Sequence, residues 1–194
     1  LIHNLIMHNQ FKTRQEAGAL LAQRIITCDA VIAIPRGGIP IAAPICQSHH
    51  CRMLLTFPRK IRAPHHKEFA IGAINDQGDV FLNQQVCDDL NISEEYIEEE
   101  KQFQLNEIAE RKKHYPFPNI AIEGLNIVLV DDGVATGMTM LAAIQEVMCQ
   151  NPKSLVVAIP VSPPSALTLL EQHCDVICLY APSNFGSVSA FYES

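Results

Sequence analysis

Apolar positions in the chain form short runs that alternate with longer stretches of helical periodicity. The short runs consist mainly of β-branched and aliphatic residues, and they lie at 31–34, 53–57, 127–130, 155–161 and 175–180. Such runs predict strands that are buried on both faces of a sheet. Apolar residues recur at helical spacing in the segments between them, at 13–26, 39–48, 140–149 and 164–173. This alternation predicts an α/β fold in which a mostly parallel, twisted sheet carries helices on both faces.

The middle of the chain departs from that alternation. Residues 59–67 are rich in basic residues and predict a loop. The segments 69–74 and 80–82 flank a polar turn that contains a glycine, and they predict a hairpin. A charged segment at 93–113 predicts a helix that begins after Ser93, because serine is a favoured N-cap residue.

The length and composition of the chain bound its organisation. With 194 residues, of which 48% are hydrophobic, we expect a single domain over 1–194. Within it, 59–82 should form a flexible loop and hairpin, and 83–120 a small hood or helical insertion. The net charge of −7 disfavours nucleic-acid binding, and the apolar runs are too short to predict a membrane span. Seven cysteines without a CxxC spacing, and no evident signal peptide, predict reduced thiols in a cytoplasmic protein.

The strand predicted at 127–130 ends in a stretch that can bind a phosphorylated sugar. Asp131 and Asp132 follow the strand directly, and a loop leads from them into the next helix. The residues of this loop are Gly133, Val134, Ala135, Thr136, Gly137, Met138 and Thr139. Unpaired amides at a helix N-terminus bind phosphate, whereas carboxylates suit sugar hydroxyls and hydrated Mg²⁺. The alternative is an ordinary turn that ends a strand and caps a helix.

A second loop with anion-binding character follows the strand predicted at 31–34. It consists of Pro35, Arg36, Gly37 and Gly38. Two glycines allow backbone amides to approach an anion closely, and an arginine can bind it through two parallel hydrogen bonds. The alternative is a simple β-turn before a helix that has Pro40 in its first turn.

The two loops together resemble the motifs of type I phosphoribosyltransferases. Further segments resemble one bacterial subgroup of that family, whose acceptor is generally unassigned; they lie at 11–18, 59–60, 69–74, 160–164 and 191–192. The resemblance implies that Asp131 and Asp132 hold the ribose hydroxyls and Mg²⁺, that 135–139 binds the 5′-phosphate, and that 35–38 binds pyrophosphate. One departure is Ala135, where many members of the family carry a threonine.

The family's reaction is the Mg²⁺-dependent transfer of ribose 5-phosphate from phosphoribosyl pyrophosphate (PRPP) to a nitrogenous acceptor, with release of pyrophosphate. The resemblance also implies that a loop carrying Arg59 and Lys60 closes over PRPP. The predicted catalytic residues are therefore Arg36, Lys60, Asp131 and Asp132. Two other functions remain open at this point: a non-catalytic protein that senses PRPP or a nucleotide, and a hydrolase or phosphorylase that acts on phosphorylated ribosides.

The acceptor is not identified by the sequence. Enzymes of this family that use 6-oxopurines usually carry a lysine just after the strand that follows the PRPP motif, and this chain has Ser162 and Pro163 there. Phe185 and Tyr192 could stack on a base or belong to the core. The acidic helix predicted at 93–113 could form a hood over the site or the contact of a homodimer.

Overall fold

The computed structural model describes residues 11–116 and 120–193, except the side chains of residues 67 and 68. Five parallel strands form the main sheet, in the spatial order β2-β1-β6-β7-β8. These strands are β1 (Ala30–Ala33), β2 (Arg52–Leu55), β6 (Asn126–Val130), β7 (Ser154–Val161) and β8 (Asp175–Tyr180). All four strand pairs are parallel, so every strand ends at the same edge of the sheet. The α/β fold with a parallel sheet is therefore confirmed.

Helices cover both faces of this sheet. Helices α1 (Arg14–Ala22) and α2 (Gly38–His49) pack on one face, and α5 (Met138–Met148) and α6 (Pro164–Glu171) pack on the other. Successive side chains of β6 alternate between these faces, so Val128 contacts the first pair of helices and Leu129 the second. Both side chains are fully buried. Burial on two sides explains why the strands are continuous apolar runs.

The part of the chain between β2 and β6 forms a second, antiparallel sheet. Its order is β3-β4-β5, with β3 at Arg59–Ala63, β4 at His66–Ile74 and β5 at Val80–Leu82. Helices α3 (Gln84–Asp89) and α4 (Glu94–Lys112) follow it. This unit, which we call the hood, has a hydrophobic cluster of its own. The buried members of that cluster are Phe57, Ile61, Ala63, Ile71, Ile74, Cys87 and Ile108.

The hood contains the main error of the sequence interpretation. The predicted basic loop at 59–67 is wrong, because this segment forms β3, a turn and the start of β4. Ile61 and Ala63 are buried, whereas Lys60, the second residue of the strand, is exposed. This is the alternation of a strand with one covered face, and the basic residues on its other face concealed it.

The remaining elements follow the sequence closely. The hairpin predicted from 69–74 and 80–82 is the β4–β5 pair. Helix α4 begins after Ser93, whose hydroxyl accepts a hydrogen bond from the Tyr96 amide at 3.2 Å. Helix α3 and a short 3-10 helix at Val188–Phe191 were not predicted. Parts of the predicted domain and insertion, at 1–10, 117–119 and 194, lie outside the described residues.

None of the helices in the described ranges combines the length and the apolar composition that crossing a membrane requires.

Candidate active site

The topology of the parallel sheet brings the two predicted anion-binding loops together. Strands β1 and β6 are direct neighbours, and their last residues, Ala33 and Val130, lie opposite each other. The Ile34 amide continues this pairing by donating to the Val130 carbonyl at 3.1 Å. The loop at 35–38 and the loop at 131–139 therefore leave the same edge of the sheet side by side. Open α/β sheets bind their ligands at such an edge.

The first loop packs so closely against the second that it requires glycine. A Cβ atom built on Gly37 would lie 2.4 Å from the Asp132 carboxyl carbon. One built on Gly38 would lie 2.8 Å from the Val130 carbonyl oxygen. Real Cβ atoms do not approach other atoms to these distances, so a larger residue would displace the Asp132 carboxylate at Gly37 and backbone at Gly38. A cis peptide bond joins Pro35 to Arg36, and the Arg36 side chain is exposed at the tip of the loop.

The second loop is anchored at its start and open at its centre. The Val134 amide donates to the Val161 carbonyl at 3.0 Å, and Val134 is buried. Ala135 and Thr136 are exposed. Gly137 has a positive φ of +88° and caps α5 without a side-chain hydrogen bond. The loop thus leads exposed backbone into the N-terminus of α5, an arrangement that can bind a phosphate.

The two adjacent aspartates occupy different environments. Asp131 accepts a hydrogen bond from the backbone amide of Asp132 at 2.8 Å. Burial and the negative charge of Asp132 raise the pKa of the Asp131 carboxyl well above its usual range. Asp132 instead accepts a hydrogen bond from Arg14 Nε at 2.7 Å. Asp131 therefore holds a proton more readily than an exposed aspartate does.

Arg14 and Tyr192 both contact Asp132; the sequence suggested Tyr192 only for stacking on a base and did not single out Arg14. The Arg14 guanidinium lies 4.5 Å from the centre of the Tyr192 ring. The Tyr192 hydroxyl donates to the backbone carbonyl of Asp132. Both residues lie in segments that carried the family resemblance, which was the available signal. Arg14 lies 118 positions before Asp132 in the chain, and Tyr192 lies 60 positions after it, so no local pattern reveals these contacts.

The aromatic residues near the C-terminus belong to the core. Tyr192 is only 7% exposed, and its ring packs against Phe11 with a centroid distance of 5.6 Å. Phe185 stacks on the buried Phe191 at 5.2 Å. These contacts account for both aromatic side chains without a base.

The hood places the predicted loop bases in specific contacts. Arg59 Nε donates to the Gln104 side chain at 3.1 Å, and its guanidinium lies 3.5 Å from a Glu107 carboxylate oxygen. Lys60 is exposed on β3. The roles of Arg59 and Lys60 at the pyrophosphate remain predictions. A contact that was not predicted joins the hood to the first loop, since Arg111 donates to the Pro35 carbonyl at 3.0 Å.

The donor set at this edge fits a magnesium ion that arrives with its substrate. Within 11–116 and 120–193, no group of three or more His, Cys, Asp or Glu side chains is arranged to hold a metal. Protein-bound Mg²⁺ commonly takes only one or two carboxylates and completes its shell with substrate phosphates and water. Asp131 and Asp132, side by side at the strand end, meet that requirement.

A parallel sheet with two glycine loops and paired carboxylates at one edge places the protein among the α/β proteins that bind at strand ends. The chain belongs to the phosphoribosyl transferase family: the family described as "Phosphoribosyl transferase domain" matches residues 7–192. This confirms the family that the two loops suggested.

Individual relatives agree with that membership. The chain is 30% identical over 191 residues to the Mycobacterium tuberculosis protein named "Putative phosphoribosyl transferase Rv0571c". The alignment covers 95% of this chain but only 43% of the relative, so the chain spans less than half of that protein. The crystal structure of TT1426 from Thermus thermophilus is similar with a TM-score of 0.78 and 34% identity, over 94% of this chain and 90% of that one. A purine phosphoribosyltransferase from Pyrococcus horikoshii shares the fold, with a TM-score of 0.51 and 12% identity over 93% and 99% of the two chains.

Proposed function

We propose that this protein transfers ribose 5-phosphate from PRPP to a nitrogenous acceptor and releases pyrophosphate. The observation that carries the proposal is the contact between Gly37 and Asp132, because it joins the two loops at one edge of the sheet. PRPP has a phosphate at one end, a pyrophosphate at the other and a sugar diol between them. Two anion-binding loops with carboxylates between them match that order of groups.

In this proposal each loop holds one charged end of PRPP. Backbone amides at 35–38 and the Arg36 guanidinium bind the pyrophosphate. Amides at 135–139, with the hydroxyls of Thr136 and Thr139, bind the 5′-phosphate. Asp131 and Asp132 accept hydrogen bonds from the ribose hydroxyls. The anomeric carbon is thereby fixed between the two loops, and catalysis consists mainly of positioning.

Charge on the departing pyrophosphate is the second part of the proposal. Arg36, Arg59 and Lys60 are the cations proposed to stabilise it. Mg²⁺ held by Asp131, Asp132 and the substrate would neutralise negative charge on the leaving group. Arg59 and Lys60 lie on β3, so we propose that this hairpin approaches the first loop when PRPP binds. Such closure would also exclude water from the anomeric carbon.

The acceptor, the compartment and the assembly belong to the proposal as well. Ser162 follows β7 at the position where 6-oxopurine enzymes of the family usually carry a lysine, which argues against hypoxanthine or guanine as acceptor. Ser162 is buried and its amide donates to the Tyr180 carbonyl, so its side chain has little freedom to replace a lysine.

All seven cysteines are free thiols, which suits the reducing cytoplasm. A homodimer through the acidic helix α4 remains a hypothesis.

The test is to incubate the purified protein with PRPP, Mg²⁺ and a panel of nucleobases, and to measure pyrophosphate and ribose 5-phosphate. Release of pyrophosphate that depends on one acceptor supports transfer. Binding of PRPP without any release would indicate a sensor, and ribose 5-phosphate formed without an acceptor would indicate a hydrolase. The double variant Asp131→Asn with Asp132→Asn is the control. Unchanged PRPP affinity in that variant would remove the acids from the site.

A further inference from the structure

Three cysteine thiols meet at the sheet edge opposite the candidate active site, where β1 and β2 begin. Cys28 lies just before β1, and Cys51 lies just before β2. Their Sγ atoms are 3.4 Å apart. Cys46, in the last turns of α2, makes a thiol contact with the same Cys51. The proposed transferase chemistry has no use for this group of thiols, which converges from three parts of the chain.

Cys28 and Cys51 need little movement before a disulfide can form. Strands β1 and β2 pair in parallel with Ala30 opposite Arg52, and the two cysteines lie just ahead of these paired residues. Their Sγ atoms are 3.4 Å apart and a disulfide bond is about 2.0 Å long, so the sulfur atoms must approach by about 1.4 Å. A side-chain adjustment of this size can bring the two sulfur atoms together.

A metal site is the other reading of a thiol cluster, and the geometry disfavours it. The part of the chain that the structure describes contains no group of three or more His, Cys, Asp or Glu side chains arranged around a metal position.

Small reagents can reach this cluster. A cavity of about 250 Å³ opens beside it and is bordered by His50, Cys51 and Arg52. Burial raises the pKa of the Cys28 thiol and raises that of Cys46 to about 12. Because the thiolate is the attacking species, we expect exchange at this cluster to be slow and to accelerate as pH rises.

We propose that Cys28 and Cys51 form a thiol–disulfide exchange site that small disulfides oxidise reversibly. The Cys51 thiolate attacks one sulfur of a disulfide RS–SR, which releases RS⁻ and leaves a mixed disulfide on Cys51. The Cys28 thiolate then attacks the Cys51 sulfur, releases the second RS⁻ and completes the protein disulfide. In sum, two protein thiols lose two protons and two electrons, and RS–SR is reduced to two RSH.

The test treats the purified protein with 2-hydroxyethyl disulfide at pH 8.5, followed by intact-mass measurement and peptide mapping without reduction. The mass measurement uses a Cys149→Ser background, because Cys149 is exposed and would itself gain an RS group. This protein should lose the mass of two hydrogen atoms, yield one cross-linked peptide pair that contains Cys28 and Cys51, and recover its mass with dithiothreitol. Adding Cys28→Ser and Cys46→Ser removes both thiols that could attack the Cys51 sulfur, and the reaction should then stop at a mixed disulfide that adds one RS group.

Three outcomes would overturn the proposal: a wild-type protein that only accumulates mixed disulfides, one that keeps all its thiols, or a cross-link between other cysteines. The wild-type peptide map decides the matter by itself if Cys28→Ser does not fold. Cys46→Ser adds a second check, because it removes the third thiol and should leave the Cys28–Cys51 bond intact. The result does not depend on phosphoribosyl transfer.

Discussion

The parallel sheet and the hood arrange their charged residues in opposite ways. Strands of the parallel sheet are almost entirely apolar, and the charged residues around them gather at the strand ends, where Asp131, Asp132 and Arg36 lie. In the hood, charged residues lie along the strands and pair with α4. Arg62 makes two hydrogen bonds to the Glu100 carboxylate, at 2.6 and 3.0 Å. Charge in the first region gathers at the candidate active site, whereas Arg59 and Arg62 in the hood pair with side chains of α4.

This difference shows what a cluster of basic residues can and cannot indicate. Arg59 and Arg62, two of the bases at 59–67, both donate hydrogen bonds to side chains of α4. Among the acids of α4, Glu100 is only 7% exposed. The two charged segments are close in the folded chain and partly neutralise each other. Opposite charge patterns in neighbouring segments therefore predict a contact between them as readily as a ligand.

Breaking the central ion pair of the hood should have the largest effect on stability. Arg62→Met leaves the Glu100 carboxylate buried with only Gln104 as a side-chain partner, at a cost of about 3–5 kcal/mol. Urea unfolding measures it. Glu110→Gln is the matched control on the same helix, because Glu110 and Lys113 form an exposed pair and its loss should leave stability unchanged. An equal loss in both variants would contradict the contrast between buried and exposed pairs.

Glu100, the acid of this pair, should make the stability of the protein depend on pH. Burial alone would raise the pKa of Glu100, but hydrogen bonds from Arg62 and Gln104 outweigh it and lower the pKa below the usual value. A lowered pKa in the folded state contributes stability that is present above pH 4.5 and is lost as pH falls. Arg62→Met should therefore reduce the difference in stability between neutral and acidic pH.

Crowding the contact between the two loops should weaken ligand binding and leave the hood intact. Gly37→Ala adds a Cβ atom 2.4 Å from the Asp132 carboxyl carbon, so the Asp132 carboxylate must leave its position. We expect Mg²⁺-PRPP affinity to fall at least about 100-fold, which is about 2.7 kcal/mol. Isothermal titration calorimetry gives the affinity. Gly186→Ala, at a position with no atom within 4 Å of the added carbon, should bind normally; equal affinity in both variants would move the pocket elsewhere.

Glu146 connects the two regions and should make stability fall as pH rises. It lies on α5, accepts a hydrogen bond from Thr56 at 2.8 Å, and faces Asp76 and Lys112 of the hood. Burial and the charge of Asp76 raise its pKa to about 7. The folded state then binds more protons than the unfolded chain between pH 4.5 and 7, so ionisation costs stability in that window.

The corresponding variant is Glu146→Gln, which cannot ionise. Between pH 5 and pH 8 the wild-type protein should lose about 2 kcal/mol more than this variant. Urea unfolding at several pH values gives both curves. Parallel curves would show that the pKa of Glu146 in the folded protein is not raised, and would contradict this prediction.

Arg14 should have the smallest effect, and on binding rather than on stability. Arg14→Met removes the hydrogen bond that orients the Asp132 carboxylate. A charge-assisted hydrogen bond of this kind is worth about 1.4 kcal/mol, so Mg²⁺-PRPP affinity should fall about tenfold. Arg14→Lys should restore part of the loss. Arg24→Met, which removes an exposed arginine just beyond α1, is the control; a loss of the same size there would assign the effect to overall charge.

The sequence predicted the parallel sheet well because burial on both faces leaves a strong local signal. The apolar run at 127–130 and the acids after it are contiguous, so the site's main loop could be predicted without any tertiary information. The partners of Asp132 could not, because Arg14 and Tyr192 lie near opposite ends of the chain. In the hood, the strand at 59–63 has only two buried side chains, and alternation over so short a span is a weak signal.

A crystal structure with Mg²⁺ and a non-reactive PRPP analogue would show whether PRPP spans the two loops. We expect the pyrophosphate on the amides of 35–38, the 5′-phosphate on those of 135–139, and the ribose diol within hydrogen-bond distance of Asp131 and Asp132. An analogue bound elsewhere, or bound with neither phosphate end on these loops, would contradict this expectation.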